Sequence, residues 1–229
     1  VQWSDIQMAV PPRMPSLRVL HVASDSTFSN LPEHIKLAQG SCTTVNAILH
    51  SADAIETLRV SGVELPESAC HSLLSGVQLP SLRSVSLQCE VPALATLASQ
   101  IHLNAPCVRT VAFHSTGAPM EVLPAFASVC AALGPSQHLR TLGLYSSSHP
   151  TRCAVELAEF ADALAALLDQ CPRLCVLHVP FLRFVPEDEL AIFSSALVPY
   201  KGRLRRLSVG STEALKHFKE VLPSTRVTC

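Results

Sequence analysis

Ten histidines and nine cysteines are the side chains of this 229-residue sequence best suited to metal binding or nucleophilic chemistry. Their spacing favours neither. Cys171-Pro-Arg-Leu-Cys175 holds three residues between its thiols, whereas a redox pair uses two and a zinc site needs a second pair. No two histidines stand at the spacing that would put both on one helix face as metal ligands. Glu187, Asp188 and Glu189 form an acidic cluster at a predicted helix start, where the positive end of the helix dipole favours them. They read as capping residues and not as an acid–base pair. The Gly-Lys-Ser/Thr phosphate loop, the Gly-x-Ser-x-Gly elbow and the Gly-x-Gly-x-x-Gly turn are absent, and eight glycines leave little material for such loops. No catalytic residue, metal, cofactor or small-molecule substrate is expected.

The elements that position these side chains are set by a repeat. Seven segments share the order apolar, two variable, apolar, variable, apolar. They start at Leu17, Ile55, Leu82, Val108, Leu139, Leu174 and Leu204. In five of them Arg follows the first apolar residue (Arg18, Arg83, Arg109, Arg140 and Arg205), and in four a proline lies two places before it (Pro15, Pro80, Pro106 and Pro172). Two independent marks recurring in register identify an internal repeat. Its period runs from 26 to 38 residues, enough for a strand of about five residues, a helix and two loops.

The intervening segments carry helical periodicity. Leu94, Leu97 and Ile101 recur at helical spacing after Pro92, and Leu157, Phe160, Leu164 and Leu168 form one stripe over 156–168. Leu190, Phe193 and Leu197 repeat the pattern over 187–197, and 42–49 suits a short helix. Pro92, Pro119 and Pro186 sit at helix starts, while Gly134-Pro135 and Cys171-Pro172 stop the preceding helices. A strand plus one helix cannot bury its own apolar face, so each unit must stack on its neighbour. Strands stack at about 4.8 Å and helices at roughly 10 Å, so the stack bends with its strands inside. The proline before each strand is expected to set an extended approach. Motif positions 1, 4 and 6 are expected in the core and 3, 5 and 7 on the open face.

The pattern Pro-x-Leu-Arg-x-Leu-x-Leu resembles leucine-rich repeat proteins, over roughly Leu17 to Val209. The long irregular period is similar to the ribonuclease-inhibitor-like and F-box-associated subclasses. The resemblance implies a curved α/β solenoid with a parallel β-sheet on the concave side and helices on the convex side. It would be a single domain over 1–229 of about seven repeats. Of the Asn or Cys usual after the third leucine only Cys89 is present; Ser24, Gly62, Ser115, Ser146, Phe181 and Ser211 stand at the other six places, where small hydroxyls can satisfy some of the same backbone groups.

In that family the concave strand face is the usual binding surface. The register then nominates Arg59, Gln88, His114, Tyr145, His178, Phe181 and Arg206 as partner-binding residues on an otherwise small-residue surface, since aromatic and Arg side chains dominate interface hot spots. His21 and His178 share a column but lie five strands apart, roughly 24 Å, too far to share a metal. The arginine column could form a basic ridge, although local pairing of each Arg is the expected arrangement, because the net charge of −1 leaves no unmatched basic excess. The same balance argues against a nucleic-acid partner.

The resemblance implies a non-enzymatic protein–protein interaction scaffold, as in the substrate-recognition part of an F-box type ubiquitin-ligase adaptor. The high mean hydropathy of +0.31 equally suits a structural subunit of a larger protein or ribonucleoprotein assembly. An enzyme regulator would need an Arg protruding from a loop, and none is marked. No apolar run approaches the ~18–20 residues that span a bilayer; the richest, Cys153 to Cys171, is broken by Glu156, Glu159, Asp162 and Asp169. The unevenly spaced cysteines read as reduced, buried thiols, and with no Asn-x-Ser/Thr acceptor they suit an intracellular, cytoplasmic or nuclear setting. No signal peptide is recognisable and the chain does not begin with Met, so it reads as a piece whose further domains, an F-box included, would lie upstream. Trp3, Ile6 and Met8 fit either an apolar cap or the cut end of a preceding helix.

Overall fold

Four of the prolines that precede the repeat motif occupy the second place of a β-turn. The amide three residues on bonds back to the first carbonyl: Leu17 to Met14, Leu82 to Leu79 and Val108 to Ala105 at 3.1 Å, and Leu174 to Cys171 at 3.0 Å. Proline's fixed φ suits that place, and its missing N–H costs nothing there. The proline therefore turns the chain from helix into strand, and does not hold the extended approach that the sequence suggests. This computed structural model describes residues 13–23, 39–115, 119–146 and 154–229. Ser24 and the Trp3, Ile6 and Met8 cluster lie outside them.

These four turns lead into the first, third, fourth and sixth of the described strands, which are β1 (Val19–Ala23), β2 (Thr57–Leu65), β3 (Ser84–Cys89), β4 (Thr110–Ser115), β5 (Thr141–Ser146), β6 (Val176–His178), β7 (Arg206–Ser208) and β8 (Arg226–Thr228). They form one open parallel sheet in chain order, each strand hydrogen-bonded to the next. Leu58, Val85, Val111, Leu142, Leu177, Leu207 and Val227 pair across it as one column, and all are buried. Motif positions 4 and 6 thus point inward and 3, 5 and 7 outward, as the period of two requires. The register breaks once, between Val60 and Leu65 of β2.

Strand β8 is not foreseen by the repeat. Pro223 stands at the second place of the turn before it, with Thr225 bonding back to Leu222 at 3.0 Å. From the turn's last residue to the inward Val227 is one residue less than in the other proline turns. Buried Thr225 takes the first apolar place and donates its hydroxyl to Leu204 O at 2.8 Å.

Among the described residues seven helices alternate with the strands: α1 (Gln39–Ser51), α2 (Glu67–Leu73), α3 (Ala93–Asn104), α4 (Pro119–Leu133), α5 (Ala154–Gln170), α6 (Glu187–Leu197) and α7 (Thr212–Val221). Each packs against the next in chain order. Pro66, Pro92 and Pro186 stand immediately before α2, α3 and α6, and Pro119 opens α4. Ser211 caps α7, its hydroxyl accepting from Ala214 N. The apolar helix stripes and the inward strand columns merge into one contiguous core from Val22 to Val227. Five phenylalanines tie its C-terminal half together. Phe160 lies 5.6 Å from both Phe181 and Phe193, Phe126 lies 5.3 Å from Phe181, and Phe218 lies 6.0 Å from Phe193. Aromatic pairs at these separations add about 0.5–1.5 kcal/mol beyond the area they bury.

With the helices on the core side, the opposite face of the sheet is covered by none of the described elements, and its outward side chains are half-buried or exposed. Among the described residues no helix is long and apolar enough to cross a membrane.

Candidate functional site

The uncovered face is where the outward columns become functional candidates. His114 on β4 and Tyr145 on β5 are paired neighbours in adjacent strands. Their rings stack with centroids 4.4 Å apart and planes 5° from parallel. His178 on β6 continues the series, 6.3 Å from the Tyr145 ring at 18°. Room for this arrangement comes from Gly143, two residues before Tyr145 on the same face. A Cβ there would lie 2.6 Å from Tyr145 Cε2, so only glycine lets the ring fold back along its own strand. The result is a three-ring plate across β4, β5 and β6.

Guanidiniums flank the plate. Arg59 of β2 and Arg206 of β7 are exposed, and five strand spacings between β2 and β7 amount to about 24 Å. Partial burial pushes the His114 and His178 pKa values down, and the nearby charges of Arg59 and Arg206 respectively push them further the same way. Burial raises the Tyr145 pKa, with Arg206 opposing. At neutral pH the plate is therefore an uncharged aromatic surface between two cations.

The remaining nominated residues lie elsewhere. The Gln88 side-chain oxygen accepts from Gly62 N at 2.9 Å, which holds the β2 irregularity. Phe181 is a correction: it is 0% exposed, packed between Phe126 and Phe160. Strand β6 ends at His178 and the chain enters a 3-10 helix over Pro180–Phe184, which turns Phe181 into the core. Two residues escape the sequence reading. Gly143 gave no signal in one sequence, because its value depends on the neighbouring ring. Arg226 of β8 pairs beside Arg206 and was hidden by the missing apolar residue of that repeat.

The arginine column also departs from expectation. Arg18 meets Glu56 at 3.3 Å, as local pairing requires. Arg83, Arg109, Arg140 and Arg205 are exposed and make no ion pair with a described residue. Their backbones sit in register at the start of the sheet, Arg109 N bonding to Arg83 O and Arg140 N to Arg109 O at 2.8 Å.

Three serine–imidazole contacts invite a catalytic reading. The Ser61 hydroxyl lies 2.8 Å from His21 Nε2, Ser86 3.5 Å from His114, and Ser194 3.0 Å from His217. A nucleophilic serine needs its histidine oriented by a third group, and among the described residues no carboxylate bonds to these rings. They are polar links between neighbouring repeats. No group of three or more metal-ligating side chains gathers among the described residues. A shallow concavity of about 260 Å³ opens near the ends of α3 and α4, lined by His102, Pro106, Leu133, Pro135 and His138 among others. It carries no Asp, Glu, Lys or Arg.

No protein-family model matches this chain, and no curated protein matches it in sequence.

Proposed function

We propose that the chain is a single leucine-rich repeat domain over 1–229, a curved solenoid whose sheet forms the concave face and binds a partner protein without catalysing a reaction. The observation that carries this reading is the uncovered sheet face bearing the His114–Tyr145–His178 plate between Arg59 and Arg206. Tyr and Arg are the commonest anchors of protein interfaces. Rings already stacked before binding lose little rotamer freedom when a partner arrives. The proline turns, the motif register and the one-strand-one-helix alternation support the repeat assignment. Among the described residues five cysteines are buried, which supports an intracellular setting. The adaptor form of this proposal adds an F-box segment ahead of the repeats that joins a ubiquitin-ligase complex.

Affinity capture with the wild-type chain beside His114→Glu/Tyr145→Glu/His178→Glu tests the proposal, with captured proteins identified by mass spectrometry. A partner lost by the variant, whose circular dichroism stays native, supports binding on the sheet face. Ligase components captured only when the chain is joined to its upstream segments favour the adaptor form. Partners retained equally by both move the interface to the helices, and favour a structural subunit of a larger assembly.

A further inference from the structure

Charge on this molecule is sorted by layer. The outward positions that pair across the sheet carry Arg59, Arg206, Arg226 and three imidazoles, and no Asp or Glu. Most of the described acidic residues ride on the helices, Glu156, Glu159, Asp162 and Asp169 all on α5, while Glu64 lies in β2 and Glu56 and Glu90 flank strands. Neither Arg59 nor Arg206 has a hydrogen bond or ion pair with a described residue, and both are exposed. A net charge of −1 thus conceals a sheet face that is basic at both flanks and aromatic between them.

We propose that the open face recognises an acidic extended peptide, with an apolar or aromatic side chain laid on the His114–Tyr145–His178 plate and carboxylates reaching Arg59 on one side and Arg206 on the other. This rests on the sheet face being the binding surface, and it names the chemistry of the partner there. Guanidinium–carboxylate bonds are the strong, bidentate kind, and the plate supplies the apolar contact that exposed charges alone lack. The spacing sets the length. At about 3.3 Å per residue an extended peptide needs roughly seven residues to cross the ~24 Å between the flanking strands. The two cationic flanks stand apart with an uncharged plate between them. That pattern matches two separated acidic groups, whereas a nucleic-acid backbone presents its charge evenly along its length.

A display library of random peptides of about nine residues, selected on the purified chain, tests the proposal. Enrichment of Asp or Glu toward both ends around a central apolar or aromatic residue is the expected result. Selected peptides should then bind Arg59→Gln/Arg206→Gln at least ~10-fold more weakly, and should bind more weakly still as salt rises. Both arginines are exposed, so this variant keeps its fold. Peptides that need Tyr145, tested with Tyr145→Ala, yet carry no acidic bias overturn the acidic chemistry and leave the sheet face standing. Peptides indifferent to Tyr145→Ala, or a selection that yields none, overturn the sheet-face reading as well. A single-stranded oligonucleotide that outcompetes the selected peptides assigns the face to nucleic acid and refutes the proposal.

Discussion

Gly143→Ala should disable the sheet face while leaving the fold standing. The new Cβ would lie 2.6 Å from Tyr145 Cε2 and 3.2 Å from its Cζ and hydroxyl oxygen, where ordinary contact begins at 3.4 Å. The ring must therefore withdraw by at least 0.8 Å (3.4 − 2.6). The backbone of β5 is held by ladders to β4 and β6, so the side chain gives way before the strand does. Withdrawal breaks the 4.4 Å stack on His114, a loss of roughly 0.5–1.5 kcal/mol. Gly143 has no positive φ, so alanine also narrows the unfolded ensemble and returns about 0.4–1 kcal/mol. The net change in stability stays within about 1 kcal/mol by this reckoning. Partner binding has no such compensation, and removing a Tyr anchor of about 2 kcal/mol weakens Kd roughly 30-fold. Urea denaturation gives the first quantity and titration with the captured partner the second. The imidazole C–H resonances of His114, which the stacked ring should shift upfield in the wild type, report the ring itself. If those resonances and the affinity stay as in the wild type, the stack is not what Gly143 protects. A stability loss beyond about 3 kcal/mol would mean that the backbone moved instead of the ring.

Gly210→Ala should cost about 3 kcal/mol or more, because φ is +79° and the added Cβ would meet Pro180 O at 2.3 Å. Gly202→Ala, with nothing within 4 Å, should stay within about 0.5 kcal/mol in the same urea series, and equal midpoints would contradict the clash. Stability should fall on the acid side of about pH 6.5, the ordinary histidine value. The folded state holds His114 and His178 below that value, so the unfolded chain binds more protons as pH drops; His114→Gln/His178→Gln should flatten that limb of a stability-against-pH curve. With a thiol reagent, exposed Cys107 and Cys229 should react in the native protein, and Cys107→Ser/Cys229→Ser should lower that fast phase by two thiols. Cys42, pushed up to about 11, and Cys70 and Cys130, pushed up to about 12 by burial, should react only after denaturation.

What the sequence disclosed of the fold followed the strength of its periods. Leu58, Val85, Val111 and Leu142 could be aligned by eye because a buried column admits few residue types, and a one-residue slip would turn each strand inside out. Short elements escaped that logic. A three-residue strand such as β8 offers one inward position, Val227, and one residue has no period. Phe181 failed for a related reason. Carrying the strand past His178 was natural by analogy with the longer β4 and β5, yet β6 stops there and Pro180 starts a 3-10 turn that points the next ring inward. The prolines before the strands mark where those strands begin but not the local geometry of the approach. Pro-x-Leu is compatible with both an extended approach and a turn, and only the bond from Leu17 back to Met14 and its counterparts decides between them.

The candidate site divides along a similar line, between what a column can say and what a neighbour decides. That His114, Tyr145 and His178 face the same way follows from their motif positions. That their rings stack depends on Gly143, whose missing Cβ has meaning only beside Tyr145. The sequence carries more about charge than its net total. Pairing each motif arginine with a local acid requires an acid at the same place in a neighbouring repeat, and Glu56 is the single carboxylate among the residues that follow the first apolar positions. It bonds Arg18 and stands next in register to Arg83, which leaves Arg109, Arg140 and Arg205 with no carboxylate residue at the neighbouring places of the column. Near-neutral totals average over two layers that the strand–helix alternation keeps apart. Most of the described acids lie on the helices, where solvated carboxylates cost little, while Arg59, Arg206 and Arg226 lie in strands and the motif arginines stand just before them. A partner would respond to the layer and not to the total, so the charge relevant to binding here is counted column by column along the sheet.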